Sequence, residues 1–382
     1  MLEKAVPHSL RAFGMANDAT QLFLPDCEPI VVKGRRALIY AGDAENVGDL
    51  AIAFATHQLL TEAGFDKIAI LQWNIPDKVA RDEFAQIPLP IISSKSMSAI
   101  RNSLGSLHII GGGQMVRNNQ SIAAIALLLF RVVLGRITFG KVIALGIGVS
   151  HLENTVLKLM WTTILRLCHA VCVRDRASFA NVTKMGIRPI LTGDLVFLEN
   201  SIFNTNRPTK NSIVVAPCVD PSEGRYVNYQ HISALIAAIH KRYPDARLVG
   251  ALHDERLDRQ ALIEISEKCE ISFEDVYDSG RPADFASLYE KSIITITNRL
   301  HSIIFSIKSD AAVICCNDGG KIEAAAIDFG LAQIKADERD IQKDDALFLV
   351  DSAFDRRNSA MQARELAETN RVVLKSVLEG WN

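Results

Sequence analysis

Short apolar runs alternate with longer helix-like runs along almost the whole chain, and this alternation restricts the fold more than any other feature. Strand-like runs fall at residues 36–41, 67–72, 107–110, 142–145, 170–173 and 189–192. Helix-like runs lie between them, at 50–63, 122–134, 152–167 and 179–185. A strand joined to the next through a helix pairs in parallel, and parallel sheets are covered on both faces. The polar stretch 199–211, which contains Asn204-Thr205-Asn206-Arg207-Pro208, reads as a linker. The alternation then restarts, with strands at 212–216, 247–252, 293–296 and 311–315 and helices at 232–242, 257–268, 283–290, 303–307 and 321–329. Residues 353–378 read as one long final helix.

The expected class is therefore α/β, with two Rossmann-like domains of mostly parallel sheet in a GT-B-like layout, closed by a long C-terminal helix. The expected organisation is an N-terminal extension over 1–34 and a Rossmann-like domain over 35–198. A linker over 199–211, a second Rossmann-like domain over 212–350 and the final helix over 351–382 follow. A length of 382 residues with 48% hydrophobic content supplies two cores of ordinary size. Residues 1–34 carry scattered acids and prolines and no long apolar core, so they do not read as a secretory signal. The most lipid-like region, 122–149, is interrupted by Arg131, Arg136 and Lys141 and falls short of a membrane span. It reads as a buried helix and strand, with an interfacial helix as the lesser option. Seven cysteines, several in apolar runs, suggest buried thiols in a reducing compartment. Cys168 and Cys172 flank His169 but lack a second ligand pair, so no metal site is expected there.

The net charge of −2 hides a local excess. From Arg101 to Ile190 there are eleven Lys or Arg against Glu153 and Asp175, a balance of +9. The rest of the chain then carries −11. Such asymmetry suits an anionic ligand or surface, or else a scattered solvated surface.

Five strand-to-helix junctions carry residues with chemistry. Asn298-Arg299-Leu300-His301-Ser302 closes a buried strand, and in open α/β sheets ligands bind at that end. Arg offers a rigid fork for carboxylate or phosphate, and His a proton near neutral pH. The bland alternative is a loop Arg and a His satisfying a helix end. Gly111-Gly112-Gly113 would let a ligand approach the backbone, or simply form a tight turn; it is not a GxGxxG dinucleotide motif. In Asn46-Val47-Gly48-Asp49 the acid is either a helix cap or a ligand contact. Arg174-Asp175 could clamp an anion together with Arg299, or form a local ion pair. Asp194, after Gly193, could orient Arg174 or cap a turn.

Taken in order, these motifs, with Arg117 beyond the glycine loop, Phe197 and the downstream Lys321, resemble the polysaccharide pyruvyl transferase family over residues 37–330. Gly193-Asp194-Leu195-Val196-Phe197 departs from that family's Asp-Pro-x-Phe-like form. The resemblance implies a GT-B-like fold and transfer of pyruvate from phosphoenolpyruvate to a sugar of an exopolysaccharide or cell-envelope glycan, forming a ketal. It makes His301, Arg299 and Arg174 the catalytic candidates. Asn46, Asp49, Gly111, Gly112, Gly113, Arg117, Asp175, Asp194, Leu300, Ser302 and Lys321 are the substrate-binding candidates. The 35–198 domain would serve the acceptor and the 212–350 domain the donor. Phosphoenolpyruvate is then a substrate, and no metal or cofactor is expected. The acceptor would be a sugar, plausibly on a lipid pyrophosphate, with contact to the membrane surface from the cytoplasmic side and no nucleic-acid partner. A sugar-nucleotide glycosyltransferase and a non-catalytic binding module on the same fold are the competing readings.

Overall fold

The computed structural model describes residues 35–43, 45–72, 90–203, 208–221, 225–317, 320–335, 341–355, 359–379 and 381. The expected extension over 1–34, and residues 204–207 of the expected linker, lie outside them.

The first sheet is built from β1 (Arg36–Tyr40), β2 (Lys67–Gln72), β3 (Ile91–Ser93), β4 (Leu107–Gly111), β5 (Lys141–Ile147), β6 (Ala170–Val173) and β7 (Ile190–Leu191). Its order is β3-β2-β1-β4-β5-β6-β7, and its strands pair in parallel. The helices among these strands are α1 (Val47–Glu62), α2 (Met97–Ser103), α3 (Ile122–Ile137), α4 (Thr155–Leu167) and α5 (Arg176–Lys184). The second sheet comprises β8 (Ser212–Ala216), β9 (Arg247–Ala251), β10 (Asp275–Tyr277), β11 (Ser292–Thr297), β12 (Ala312–Asn317) and β13 (Ala332–Lys335). Its order, β10-β9-β8-β11-β12-β13, is again parallel. Its helices are α6 (Tyr229–Arg242), α7 (Glu255–Cys269), α8 (Pro282–Glu290), α9 (Leu300–Lys308), α10 (Gly320–Asp328) and α11 (Lys343–Asp355). The last helix, α12, spans Ser359–Glu379.

Strands such as Ala37–Tyr40 and Ser212–Ala216 are buried along their length, as central parallel strands covered on both faces must be. One apolar cluster runs continuously from Ile39 and Leu145 of the first sheet through α1 and Leu195–Leu198 to Val214 and Phe305 of the second. The outer face of the first sheet packs separately under α3 and α4, around Val132 and Trp161. The outer face of the second sheet packs under α6 and α11, around Leu235 and Val350.

The tail differs from the expected single helix over 353–378. The long final helix is present as α12 but starts at Ser359; the first three residues of the expected range instead end α11, an element that was not expected, and the two helices go to different places. Ala346, Val350 and Ala353 of α11 pack on the second sheet, whereas Ala363, Ala367, Leu374 and Leu378 of α12 join the central cluster beside β5. Gly193 permits this return, since a Cβ there would lie 2.8 Å from the Ala367 backbone nitrogen. Asn370 donates from Nδ2 to the Gly193 carbonyl at 3.0 Å.

Candidate active site

In each sheet the strand order reverses direction once, between β1 and β4 and between β8 and β11. Crevices at the carboxyl ends of strands at such points are where open α/β sheets bind ligands. The two crevices face each other. Val47 N–H at the start of α1 donates to the His253 carbonyl after β9, at 3.0 Å. The His301 ring of α9 lies directly on Gly48 of α1, where a Cβ would fall 1.9 Å from its Nδ1. Arg176 of α5 pairs with Asp328 of α10 at 3.2 Å. Arg256 of α7 reaches Asp43 at 2.5 Å and Glu45 at 2.6 Å.

On the first side, Asn46 caps α1. Its Oδ1 accepts from Gly48 N at 2.9 Å and Asp49 N at 3.4 Å, which fixes the helix start three residues before the expected one. Asp49 is thereby free of capping and turns toward the crevice. Its carboxylate accepts from Asp43 N at 3.0 Å and wedges between Gly42 and Gly113. A Cβ on Gly113 would lie 2.5 Å from Asp49 Oδ1, and one on Gly42 2.6 Å from Cγ. Burial pushes the Asp49 carboxyl up to about 6, against the pull of the Asp43 N–H and of Arg117 and Arg174. Gly112 and Gly113 both have positive φ, 40° and 64°, which favours glycine. The Gly112 N–H is bonded to the Leu145 carbonyl at 3.0 Å, so the expected anion cradle is not available from that group. The side chain of Arg117 is partly buried, with Nε lacking a hydrogen-bond partner.

Arg174 sits at the end of β6, 8% exposed. Its guanidinium donates to Asp194 at 3.3 Å, Asp175 at 3.4 Å and Gln114 at 3.0 Å, and lies against Gly148. Asp175 also caps α5, and Asp194 caps the short 3-10 turn Leu195–Phe197. Burial raises the Asp194 carboxyl, and Arg174 opposes the shift.

On the second side, Arg299 is 5% exposed and donates through Nε and Nη2 to Asp258 of α7, a fully buried acid. Burial alone would lower Arg299; the Asp258 carboxylate beside it raises it. Asn298 does not face the crevice. Its amide ties β11 to the loop after β8 through the Cys218 N–H at 2.7 Å and the Cys218 and Tyr226 carbonyls at 2.7 and 3.1 Å. Two binding candidates are corrected here. Leu300 lies in the central cluster, and Ser302 is fully buried, with its hydroxyl 2.7 Å from Tyr289 OH, which in turn lies 2.7 Å from His253 Nε2. Successive helix residues turn by about 100°, so of these three only His301 points at the first domain.

His301 is 12% exposed, and its Nε2 is buried without a hydrogen-bond partner, 3.9 Å from Asp194 Oδ2. Burial, together with Arg174, His253, Lys321 and Arg299, holds the imidazole well below its ordinary value of 6.5. Helices α1 to α7 each have a side-chain cap, whereas α8, which opens on Pro282, and α9, which follows Arg299, have none. Its first-turn N–H groups and positive end suit an anion. Among the described residues, no three His, Cys, Asp or Glu side chains gather as a metal-ligand set.

The model of the polysaccharide pyruvyl transferase family matches residues 46–319, which contain both sides of the crevice. This chain belongs to that family. No curated protein matches the sequence. Among solved structures, UDP-GlcNAc 2-epimerase from Methanocaldococcus jannaschii is similar, with a TM-score of 0.56 at 11% identity, covering 90% of this chain and 100% of the other. The enzyme of that name from Neisseria meningitidis gives a TM-score of 0.53 at 12% identity, covering 90% and 100%. At such identities the likeness concerns the fold, which is GT-B-like. Within this pyruvyl transferase, sequence reasoning missed the junction after β9. His253, Arg256 and Asp258 all lie there, in a polar run that looks like an ordinary solvated helix start.

Proposed function

We propose that this pyruvyl transferase takes pyruvate from phosphoenolpyruvate and joins it as a ketal to a sugar of an exopolysaccharide or cell-envelope glycan precursor, releasing phosphate. The observation that carries the reading is the unpartnered Nε2 of His301, set at the uncapped start of α9 amid Arg174, Arg299 and Lys321. A small, strongly anionic and proton-accepting donor fits that setting. The phosphate binds at the α9 start near Lys321, and the carboxylate on the Arg174 side. Both guanidiniums are already held by acids, so they act as fixed positive charge more than as free forks.

The chemistry needs a proton at C3 of phosphoenolpyruvate, which makes C2 electrophilic. A sugar hydroxyl bonds to C2 and releases its proton. The C2–O bond to phosphate breaks, and a second hydroxyl closes the ketal at C2, its proton leaving on the released phosphate. His301, recharged by the arriving anion, hands over a proton to C3 or to the departing phosphate. Asp49, with a carboxyl value near neutrality, takes the hydroxyl proton from the glycine-lined side. The acceptor is a lipid-pyrophosphate-linked oligosaccharide, reached at the inner face of the membrane.

Phosphate release from phosphoenolpyruvate across a panel of synthetic and lipid-linked glycosides tests the reading. Phosphoenolpyruvate should also raise Tm, since a ligand at 100 times its Kd adds about 2.7 kcal/mol. A Tm rise with a UDP-sugar but not with phosphoenolpyruvate would overturn it.

A further inference from the structure

From residue 84 to residue 152 the chain has no acid, yet it carries Lys95, Arg101, Arg117, Arg131, Arg136 and Lys141. These cations do not form one face. Arg131, on the inner face of α3, is 1% exposed, and Arg117 lies beside Asp49 at the crevice. Arg101, Arg136 and Lys141 frame something else. The outer face of α3 is apolar throughout: Ile122, Ala126, Phe130, Val133 and Ile137, spaced three to four residues apart, are all exposed. Phe139 follows in the turn, 89% exposed. It has a positive φ of 62°, one residue past the helix cap, where glycine is the unstrained choice. No internal packing accounts for a bulky ring there.

The cations gather at this end. Arg136 is in the last turn of α3, and Lys141 opens β5. The turn at Gly105, which donates to Thr138 Oγ1 at 2.9 Å, brings α2 and its Arg101 alongside. Trp381 donates to the Phe139 carbonyl at 3.2 Å and carries the Arg35 guanidinium 4.6 Å above its ring. Exposed apolar residues with a basic rim are what an anionic lipid interface recognises. At 16 residues, α3 is about 24 Å long, short of the roughly 30 Å hydrocarbon core.

We infer that α3 and the Phe139 turn lie in the headgroup region of an anionic bilayer. Because α3 starts beyond the glycine loop, lying flat brings the mouth of the crevice to the lipid surface. The inference rests on the lipid-linked acceptor proposed above for its purpose, but not for its measurement.

The test is flotation of the full chain with phosphatidylcholine vesicles, with and without phosphatidylglycerol, at low and high salt. Binding should need the anionic lipid and weaken with salt. Phe130→Ser and Phe139→Gly should each weaken it about tenfold or more, by loss of a buried ring. Phe139→Gly should keep or raise Tm, because it relieves the backbone. Arg101→Glu with Arg136→Glu should abolish the anionic preference. The Tm rise with phosphoenolpyruvate should be unchanged in every variant; its absence in the parent chain would count against the donor reading and leave vesicle binding as the test of this surface. Absence of vesicle binding, equal binding to neutral vesicles, or a dimer that Phe130→Ser converts to monomer without any lipid effect would each overturn the inference.

Discussion

The two crevices that meet at the active site are built on opposite plans. The one between β1 and β4 is lined by backbone: Gly42, Gly112 and Gly113 stand where side chains would collide with Asp49 or Ile52. The one between β8 and β11 is held by side chains: Asn298 ties two loops together, Arg299 is fixed by Asp258, and Ser302, Tyr289 and His253 form a buried hydrogen-bonded chain. The first plan brings the Asp49 carboxylate against bare backbone, whereas the second holds each of its side chains in a single place. In the proposed reaction, the braced side suits the small donor and the presentation of His301. The open side suits the bulkier acceptor.

The largest expected effect is on His301, the group the bracing presents. His301→Ala should lower turnover about 10²–10⁴-fold, as removal of a general acid does, with Tm kept. Because the imidazole starts below 6.5 and the arriving anion must raise it, binding of phosphoenolpyruvate should take up a proton, measurable by calorimetry in buffers of different ionisation enthalpy. The variant should lose that uptake. A variant that is less stable but turns over normally per folded molecule would make His301 a structural residue.

Next comes the brace itself. Asp258→Ala strands the buried Arg299 charge and should cost about 3–5 kcal/mol of stability in denaturant unfolding. A loss under about 1 kcal/mol would mean that water reaches Arg299 and the side is less rigid than described. Gly48→Ala tests the meeting of the two sides: its methyl group would strike the His301 ring. A stability loss of about 1–3 kcal/mol is expected. If activity survives unchanged, His301 does not work from this position.

The contrast also explains what the sequence disclosed. The βα alternation was legible because buried parallel strands need unbroken apolar runs, and the glycines and Arg299-Leu300-His301 stand out at strand ends. Which of Leu300, His301 and Ser302 faces the crevice depends on where α9 begins, and one residue of uncertainty turns the face by about 100°. Asp258 was invisible because an acid inside Glu255-Arg256-Leu257-Asp258-Arg259 looks like its solvated neighbours until α7 packs on β11's loop. The long final helix was legible from its pattern, whereas α11, which covers the second sheet before it, went unread.

The smallest effect expected is on Asp49, and it tests the open side. The folded carboxyl sits near 6 against an ordinary 3.8, so the folded chain holds that proton more tightly than the unfolded one. Stability from this group is therefore greatest below about pH 4, falls as pH rises to about 6, and stays low above it. The buried His253 and His301, both held below 6.5, act in the other direction: their contribution is present above 6.5 and is lost as pH falls. A difference curve between the parent chain and Asp49→Asn isolates the acid from the histidines. The variant should be about 1–3 kcal/mol more stable at pH 7 and equal to the parent near pH 4, while losing activity because the hydroxyl proton has no acceptor. If Asp49→Asn is instead destabilising at pH 7, the attraction of Arg117 and Arg174 outweighs burial. The open crevice would then hold a resident carboxylate, and its plan would be closer to that of the braced side.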